Sequence, residues 1–457
     1  MRIALLLCIY LALTLLPVLL AAAQDAPRRA WLDELSSGMA MAGFAILLAE
    51  FALSGRWRAL SRGIGMDLTM RFHQWMALAA LGFLIAHPIL YTDYGWRPGP
   101  GGSGGAKLTP AGTVTGALAW LLLVMLVFFA WARRQLPWSY EAWRLSHGLG
   151  ALLVAALGAH HALDTGHYSQ QPWLRAFWLA AAALALLTLV RVYLVKPLLQ
   201  GRWRVAAVTS EAERQWRVVL EPADARGFTF AAGQFAWLKL HRALGRITEH
   251  PFSIASAPGQ LPLLQFLIKE AGDFTGAIGR VPTGSRAYID GPYGDFTLVG
   301  RAGKGVMLIA GGIGIAPLLS LARDLSATSD ARPLKIVYAD KSEAQLAARG
   351  ELESIARGAP GRELHLVLGA HLDQERLRKL LPPADADQWL YFVCGPPAMI
   401  DAVELSLARL GVPLKQIVSE RFVYDTGIAT PRERLTRAVI GAVVLAQALA
   451  VIAFVLR

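Results

Sequence analysis

Seven apolar stretches, each close to the roughly 20 residues that cross a bilayer core, limit most severely what this chain can fold into. They run from Ile3 to Ala23, Ser37 to Leu53, Phe72 to Tyr91, Val114 to Trp131, Leu145 to Leu163, Trp173 to Val195 and Leu435 to Leu456. Six fall within the first 200 of 457 residues and the seventh lies at the far end, and these regions hold the excess in an apolar fraction of 55%. A membrane-embedded helical bundle is expected, with a water-soluble region between its sixth and seventh helices. The first stretch has a rival reading, because Arg2, a long apolar run and Ala21-Ala22-Ala23 also resemble a secretory signal. Its apolar run is longer than usual for a signal, so it is read as a helix.

The net charge of +12 would suit a nucleic-acid partner only if the basic residues formed one surface. They sit instead at the ends of apolar stretches: Arg56, Arg58, Arg62 and Arg71; Arg133, Arg134 and Arg144; Arg191, Lys196, Arg202 and Arg204; and Arg432, Arg434 and Arg437. That distribution is the positive-inside pattern. It places the N-terminus, the end of the sixth helix and the soluble region in the cytosol, and leaves the Gly-rich stretch Gly95 to Gly105 as an outward loop. The third and fifth helices then run in the same direction. The two cysteines, Cys8 and Cys394, are too few for a disulfide framework or a zinc site. No nucleic-acid partner is expected, and no protein partner is evident.

Histidines interrupt two of the membrane stretches: His73 and His87 in the third, His147, His160 and His161 in the fifth. An ionisable side chain at bilayer depth is costly and marks a functional site by default. A lone histidine would read as a hydrogen-bonded packing residue, but matched pairs on two parallel helices do not. His73 and His87 are fourteen apart, which returns to nearly the same helix face after a rise of about 21 Å. Facing pairs at two depths would supply axial nitrogens to two stacked haems, with no open position left on either iron. On an ideal helix, fourteen residues from His147 leads to His161, whereas His160 is off that face and needs a local bulge.

Between the sixth and seventh stretches the pattern shortens. Arg217–Leu220, Phe235–Leu238 and Leu264–Ile268 read as strands of a small antiparallel barrel. Val306–Ala310, Leu334–Tyr338, Leu364–Leu368 and Trp389–Val393 alternate with helical segments and read as an α/β region. His250-Pro251-Phe252-Ser253-Ile254 closes a barrel strand, where a hydroxyl, backbone amides and Phe252 suit the edge of a flavin. Gly272-Asp273-Phe274-Thr275 offers a Gly turn and amides for a pyrophosphate. Gly291-Pro292-Tyr293-Gly294 reads as a tight turn. Gly311-Gly312-Ile313-Gly314-Ile315-Ala316-Pro317 follows a strand and opens a helix, the context in which a Gly-rich loop binds a dinucleotide. Cys394-Gly395-Pro396 ends a later strand, at the edge where open α/β sheets bind ligands.

Together these motifs resemble the ferric reductase and NADPH oxidase family, its bacterial NADPH oxidase-like members most of all, over nearly the whole chain to about Phe422. The resemblance implies a multi-domain fold. A six-helix transmembrane bundle with two b-type haems would occupy residues 1–198. An antiparallel β-barrel FAD domain (199–298) and a ferredoxin-reductase-like α/β domain for NAD(P)H (299–425) would follow. It implies His73 with His147 at an inner haem and His87 with His160 at an outer one, the family spacing on the fifth helix often being thirteen. FAD would be held at His250 to Ile254 and Gly272 to Thr275, with Gln234 and Lys269 counted among the cofactor-binding residues. NAD(P)H would be held at Gly311, Gly312, Gly314 and Pro317 and at Cys394, Gly395 and Pro396. Phe422 looks like the aromatic that stacks over the flavin and, with Cys394, would stand where the hydride moves. Asp340 would favour NADH by binding ribose hydroxyls, whereas Lys341 replaces a family Arg that pairs with the 2′-phosphate of NADPH. The helix at 435–456 departs from the family pattern.

The implied activity is electron transfer from cytosolic NAD(P)H through FAD and both haems to an acceptor beyond the lipid bilayer, either O2, giving superoxide, or a ferric chelate. The implied setting is a bacterial-type inner membrane, with both nucleotide-binding domains in the cytoplasm. The competing expectations are a haem-free membrane anchor carrying a flavin reductase, and a transporter whose histidines line a proton path.

Overall fold

A computed structural model describes residues 2–27, 29–54, 57, 66–91, 109–224, 227–240, 249–382, 384–421 and 431–457. Six long helices come first: α1 (Arg2–Ala22), α2 (Trp31–Ser54), α3 (Met66–Leu90), α4 (Pro110–Trp131), α5 (Tyr140–Thr165) and α6 (Pro172–Val190), the last continuing through a π-helical turn, Arg191–Val195. Strands β1 (Arg202–Ala212), β2 (Gln215–Pro222), β3 (Phe235–Leu240), β4 (His250–Ser253) and β5 (Leu264–Lys269) follow, then α7 (Asp273–Gly276) and β6 (Arg286–Tyr293). The alternating region comprises β7 (Val306–Gly311), α8 (Ile315–Ala327), β8 (Leu334–Asp340), α9 (Arg349–Arg357), β9 (Arg362–Leu368), α10 (Gln374–Leu380), β10 (Leu390–Cys394), α11 (Pro397–Arg409) and β11 (Ile417–Glu420). The final helix is α12 (Pro431–Leu456). One compact unit holds α1 to α6 with Thr436–Arg457, and a second holds Leu199–Leu435.

In the helical unit, seven helices among the described residues are long and apolar enough to cross a membrane. They coincide with the seven apolar stretches of the sequence. The local signals that start them are visible: Thr109 caps α4 by accepting from Gly112 N, with Pro110 in the first turn, and Ser139 caps α5 by accepting from Ala142 N. α2 is buried on all sides from Met41 to Leu48 and forms the centre of the bundle. Small residues let its neighbours close in. A Cβ on Gly158 would lie 2.7 Å from Phe44, and one on Gly38 only 2.9 Å from Val451 of α12. The last helix is thus part of this core. Gln447 donates to Thr14 of α1 at 3.1 Å, and both side chains are fully buried.

In the second unit, an antiparallel sheet of order β4-β3-β6-β1-β2-β5 curls round until Ile254 bridges Phe266, which brings the edge beyond β4 onto β5. Trp203, Val205, Leu220, Leu238, Phe266 and Ile289 fill its interior. Gly291-Pro292-Tyr293 is not the expected turn but the end of β6. An extra residue on β6 opposite Phe235–Trp237 makes a β-bulge there, and a Cβ on Gly291 would lie 2.7 Å from Ala236. The chain turns only at Gly294, whose φ of 98° suits glycine.

The companion sheet is wholly parallel, in the order β11-β10-β7-β8-β9. Its central strand β7 is buried at every position, as expected of a strand covered on both faces. From β7 the chain builds outward to β8 and β9, then crosses back to β10. The order therefore reverses between β7 and β10, and that reversal opens a crevice at their carboxyl ends. A buried polar seam joins the two sheets. Arg323 of α8 donates to the Ala255 carbonyl at 2.9 Å and pairs with Glu351, while Ser320 donates to the Ser256 carbonyl at 2.7 Å.

Candidate functional site

The helical unit arranges its histidines by their Nδ1 atoms. His73 Nδ1 lies 2.7 Å from Glu50 Oε2, and His87 Nδ1 lies 2.8 Å from the Ser36 hydroxyl and 3.1 Å from the Ser36 carbonyl. His161 Nδ1 lies 2.8 Å from the Gly112 carbonyl. An acceptor at Nδ1 fixes the tautomer and the ring orientation and leaves Nε2 to meet a metal. The rings of His87 and His161 meet edge-on, with centroids 6.2 Å apart and planes inclined at 66°. His147 stacks on Trp143 with centroids 5.3 Å apart and lies within electrostatic reach of His73.

His160, expected beside His87 from the family spacing, points elsewhere. It is exposed on α5, with Nδ1 3.1 Å from Thr115 Oγ1. The physical reason is that α5 is continuous α-helix from Tyr140 to Thr165. Without a bulge, position 161 rather than 160 returns to the face that carries His147. Gly116 makes room for it, since a Cβ there would lie 2.5 Å from His161 Nδ1.

In the sheet unit, β4 places His250 and Phe252 on one face by strand alternation, and Phe274 at the start of α7 packs over both. The ring of Phe274 lies 4.2 Å from that of His250 and 6.1 Å from that of Phe252. Beside them the Ser253 hydroxyl is buried and finds no partner among the described residues. An orphaned buried hydroxyl next to an apolar slot fits the polar edge of a flavin. Thr275 Oγ1 accepts from the Ala271 and Gly272 amides, which shapes the exposed turn at Gly272 and Asp273. Gln234 serves the scaffold: it accepts from Ala231 N and donates to the Gly294 carbonyl at 3.1 Å. Pro251 sits opposite Trp237 in the strand pair, Ile254 follows as the bridge residue, and Lys269 ends β5 opposite Gln215.

At the crevice between β7 and β10 the two glycine loops touch through their backbones. A Cβ on Gly314 would lie 2.3 Å from the Cys394 carbonyl oxygen and 2.6 Å from Gly395 N. One on Gly311 would lie 2.9 Å from Pro396. Gly312 has a φ of 54°, and Pro317 stands in the first turn of α8. Cys394 is fully buried, and burial together with the Glu420 carboxylate pushes its thiol pKa well up. At the end of β8, Asp340 Oδ1 accepts from Lys341 N, while Oδ2 is buried without a partner among the described residues and faces Gly312. The Lys341 side chain is exposed. Phe422 and the stretch from Gly95 to Gly105 lie outside the described residues.

Sequence reasoning did not single out Ser36, Glu50 or the Gly112 carbonyl. Glu50 alone left a signal, as an acid inside an apolar stretch.

A family model described as "Ferric reductase like transmembrane component" matches residues 39–158, and one described as "Oxidoreductase NAD-binding domain" matches residues 308–405. The reductase component of propane 2-monooxygenase from Mycolicibacterium smegmatis is 28% identical over 242 residues, covering 50% of this chain and 68% of that protein. The flavohemoprotein of Bordetella pertussis is 28% identical over 249 residues, covering 49% of this chain, which spans only 60% of that relative's length. Ferredoxin–NADP reductase B of Sorangium cellulosum is 30% identical over 220 residues, covering 44% of this chain and 89% of that protein. A membrane-helix bundle joined to FAD- and NAD(P)H-binding domains defines the class, a multi-pass membrane oxidoreductase that uses NAD(P)H. The chain joins a ferric-reductase-like transmembrane domain to an NAD-binding oxidoreductase domain, the combination found in ferric reductase/NADPH oxidase-like flavoproteins.

Proposed function

We propose that the chain takes electrons from NAD(P)H on the cytoplasmic side of a bacterial-type inner membrane. It would pass them through FAD and two b-type haems to O2 or a ferric chelate on the opposite side. Bound FAD supplies the conversion of a two-electron hydride into single electrons, and each bound haem takes up and hands on one. The residues do the positioning. His250, Phe252 and Phe274 form the apolar slot for the flavin, and Ser253 offers its free hydroxyl to the ring's polar edge. Gly311, Gly312 and Gly314 leave the backbone open to the nucleotide phosphates at the start of α8, and Cys394, Gly395 and Pro396 wall the same crevice. Asp340 Oδ2 is placed to accept from ribose hydroxyls, which supports NADH as the preferred donor. Phe422 is assigned to cover the flavin from its position in the sequence alone.

The observation that carries the haem assignment is the His87–His161 pair. Two imidazoles bonded to one metal at about 2 Å each have ring centres about 6 Å apart, and these rings lie 6.2 Å apart with both Nδ1 atoms occupied. His73 and His147 are assigned to the second level. Haem content per purified chain tests this. His87→Ala and His161→Ala are expected to lower it from two to one, and His160→Ala to leave it at two. Loss with His160→Ala and none with His161→Ala would reverse the choice of ligand. No loss in any variant would remove the haem assignment.

A further inference from the structure

The two histidine levels differ in what their imidazoles donate to. At one level His73 Nδ1 lies 2.7 Å from a carboxyl oxygen, Glu50 Oε2, whose side chain is buried in the bundle at 7% exposure. At the other, His87 and His161 face backbone carbonyls and a hydroxyl, all neutral acceptors. An axial imidazole whose N–H is drawn to a carboxylate donates more strongly to its metal. Stronger donation favours the oxidised iron and lowers its reduction potential.

We propose that Glu50 is a positioning residue that sets the His73–His147 haem at a lower potential than the His87–His161 haem. The bundle then contains a downhill step for an electron crossing from the His73–His147 level to the His87–His161 level. This rests on the haem reading given above.

Glu50 is shared. Tyr10 of α1 donates its hydroxyl to Oε1 at 2.8 Å, drawing acceptor strength away from His73. Tyr10 is itself held in place. Its ring meets Phe72 edge-on at 4.9 Å, Thr14 donates to its carbonyl at 2.9 Å, and Gln447 of α12 donates to Thr14. The seventh membrane helix thereby supports the residue that tunes the acceptor.

The test is a spectroelectrochemical titration of the full-length, haem-loaded protein, resolved into two waves. Glu50→Gln replaces the carboxylate oxygen with a weaker amide oxygen. It is expected to raise the lower wave about tenfold in reduction equilibrium, which is about 59 mV for one electron, and to leave the upper wave in place. Tyr10→Phe removes the competing donor and is expected to lower the same wave. Opposite signs from the two variants are not expected of a purely structural role. The proposal is overturned if only the upper wave moves, if both waves move together, or if neither variant moves the lower one. Should Glu50→Gln fail to accumulate, Tyr10→Phe decides alone: a fall in the lower wave supports the proposal, and no shift or a rise overturns it. A wild-type protein with no bis-histidine haem spectrum would instead remove the haem reading beneath it.

Discussion

In the helical unit the atoms proposed to hold a cofactor are side-chain nitrogens carried on long helices. In the sheet unit they are mostly backbone amides and carbonyls, brought together where β7 and β10 end. The difference follows from the surroundings. Within a bilayer core the backbone groups pair within the helix, and the Ser36 and Gly112 carbonyls add a second bond only to histidine side chains, so side chains are left to reach a bound group. In the parallel sheet, glycines strip the side chains away and leave the backbone itself as the binding surface. The two units therefore respond to different kinds of substitution.

The largest expected effect comes from adding bulk to the crevice. Gly314→Val would push a side chain into the Cys394 carbonyl, a backbone neighbour that cannot swing aside. Flavin reduction by NADH, followed by stopped flow, is expected to fall about 100-fold or more. The haem spectrum after dithionite is expected to stay unchanged. If the haem spectrum were lost as well, the two units would not be independent in the way described.

Breaking a buried charge cluster should cost nearly as much in stability. Arg421 donates to Asp401 and, at 2.8 Å, to Glu404, all nearly inaccessible to solvent. Removing one partner of such a set leaves an uncompensated charge, at about 3–5 kcal/mol. Arg421→Met is expected to lower the thermal midpoint of the sheet unit clearly, as read by flavin release on heating. A midpoint within a degree of wild type would contradict the buried pairing.

A smaller effect is expected at Asp340. Hydrogen bonds to a charged group contribute about 1.5–3 kcal/mol, so Asp340→Ser should lower the ratio of kcat/KM with NADH to that with NADPH by about 10-fold or more. An unchanged ratio would remove Asp340 from the ribose site.

How much of this was legible depended on which atoms carry the chemistry. The seven membrane helices and the histidines were readable because apolar length and a misplaced ionisable residue are local signals. Gly311 to Pro317 and Cys394 to Pro396 were readable as separate motifs. That they touch follows from the strand order, which no local pattern encodes. The partners at Nδ1 were not readable. Ser36 is an ordinary helix serine, and the Gly112 carbonyl belongs to a backbone whose availability depends on how closely α4 and α5 approach. The choice between His160 and His161 turned on whether α5 contains a bulge, and on that point the ideal-helix geometry and the family spacing disagreed. The β-bulge at Gly291-Pro292 resembled a turn because glycine and proline punctuate both.

The smallest effect is a pH dependence of the sheet unit. Burial raises the Cys394 thiol pKa in the folded chain, so the folded state holds its proton while the unfolded thiol ionises near pH 8.5. The stabilisation is fully present below that pH and is lost as pH rises towards the folded pKa, because the unfolded state then binds fewer protons. Cys394→Ala is expected to flatten the fall in thermal midpoint above about pH 8.5, and an unchanged slope would contradict it.

The most direct measurement is an anaerobic spectrum of the full-length protein, loaded with FAD and haem, before and after adding NADH. Reduction of two low-spin, six-coordinate haems per chain by NADH is expected, and the same reduction in Gly314→Val is expected to be slower by the factor predicted above for its flavin. A protein whose haems respond to dithionite but not to NADH, or which binds none, would contradict transfer from the sheet unit to the histidine pairs.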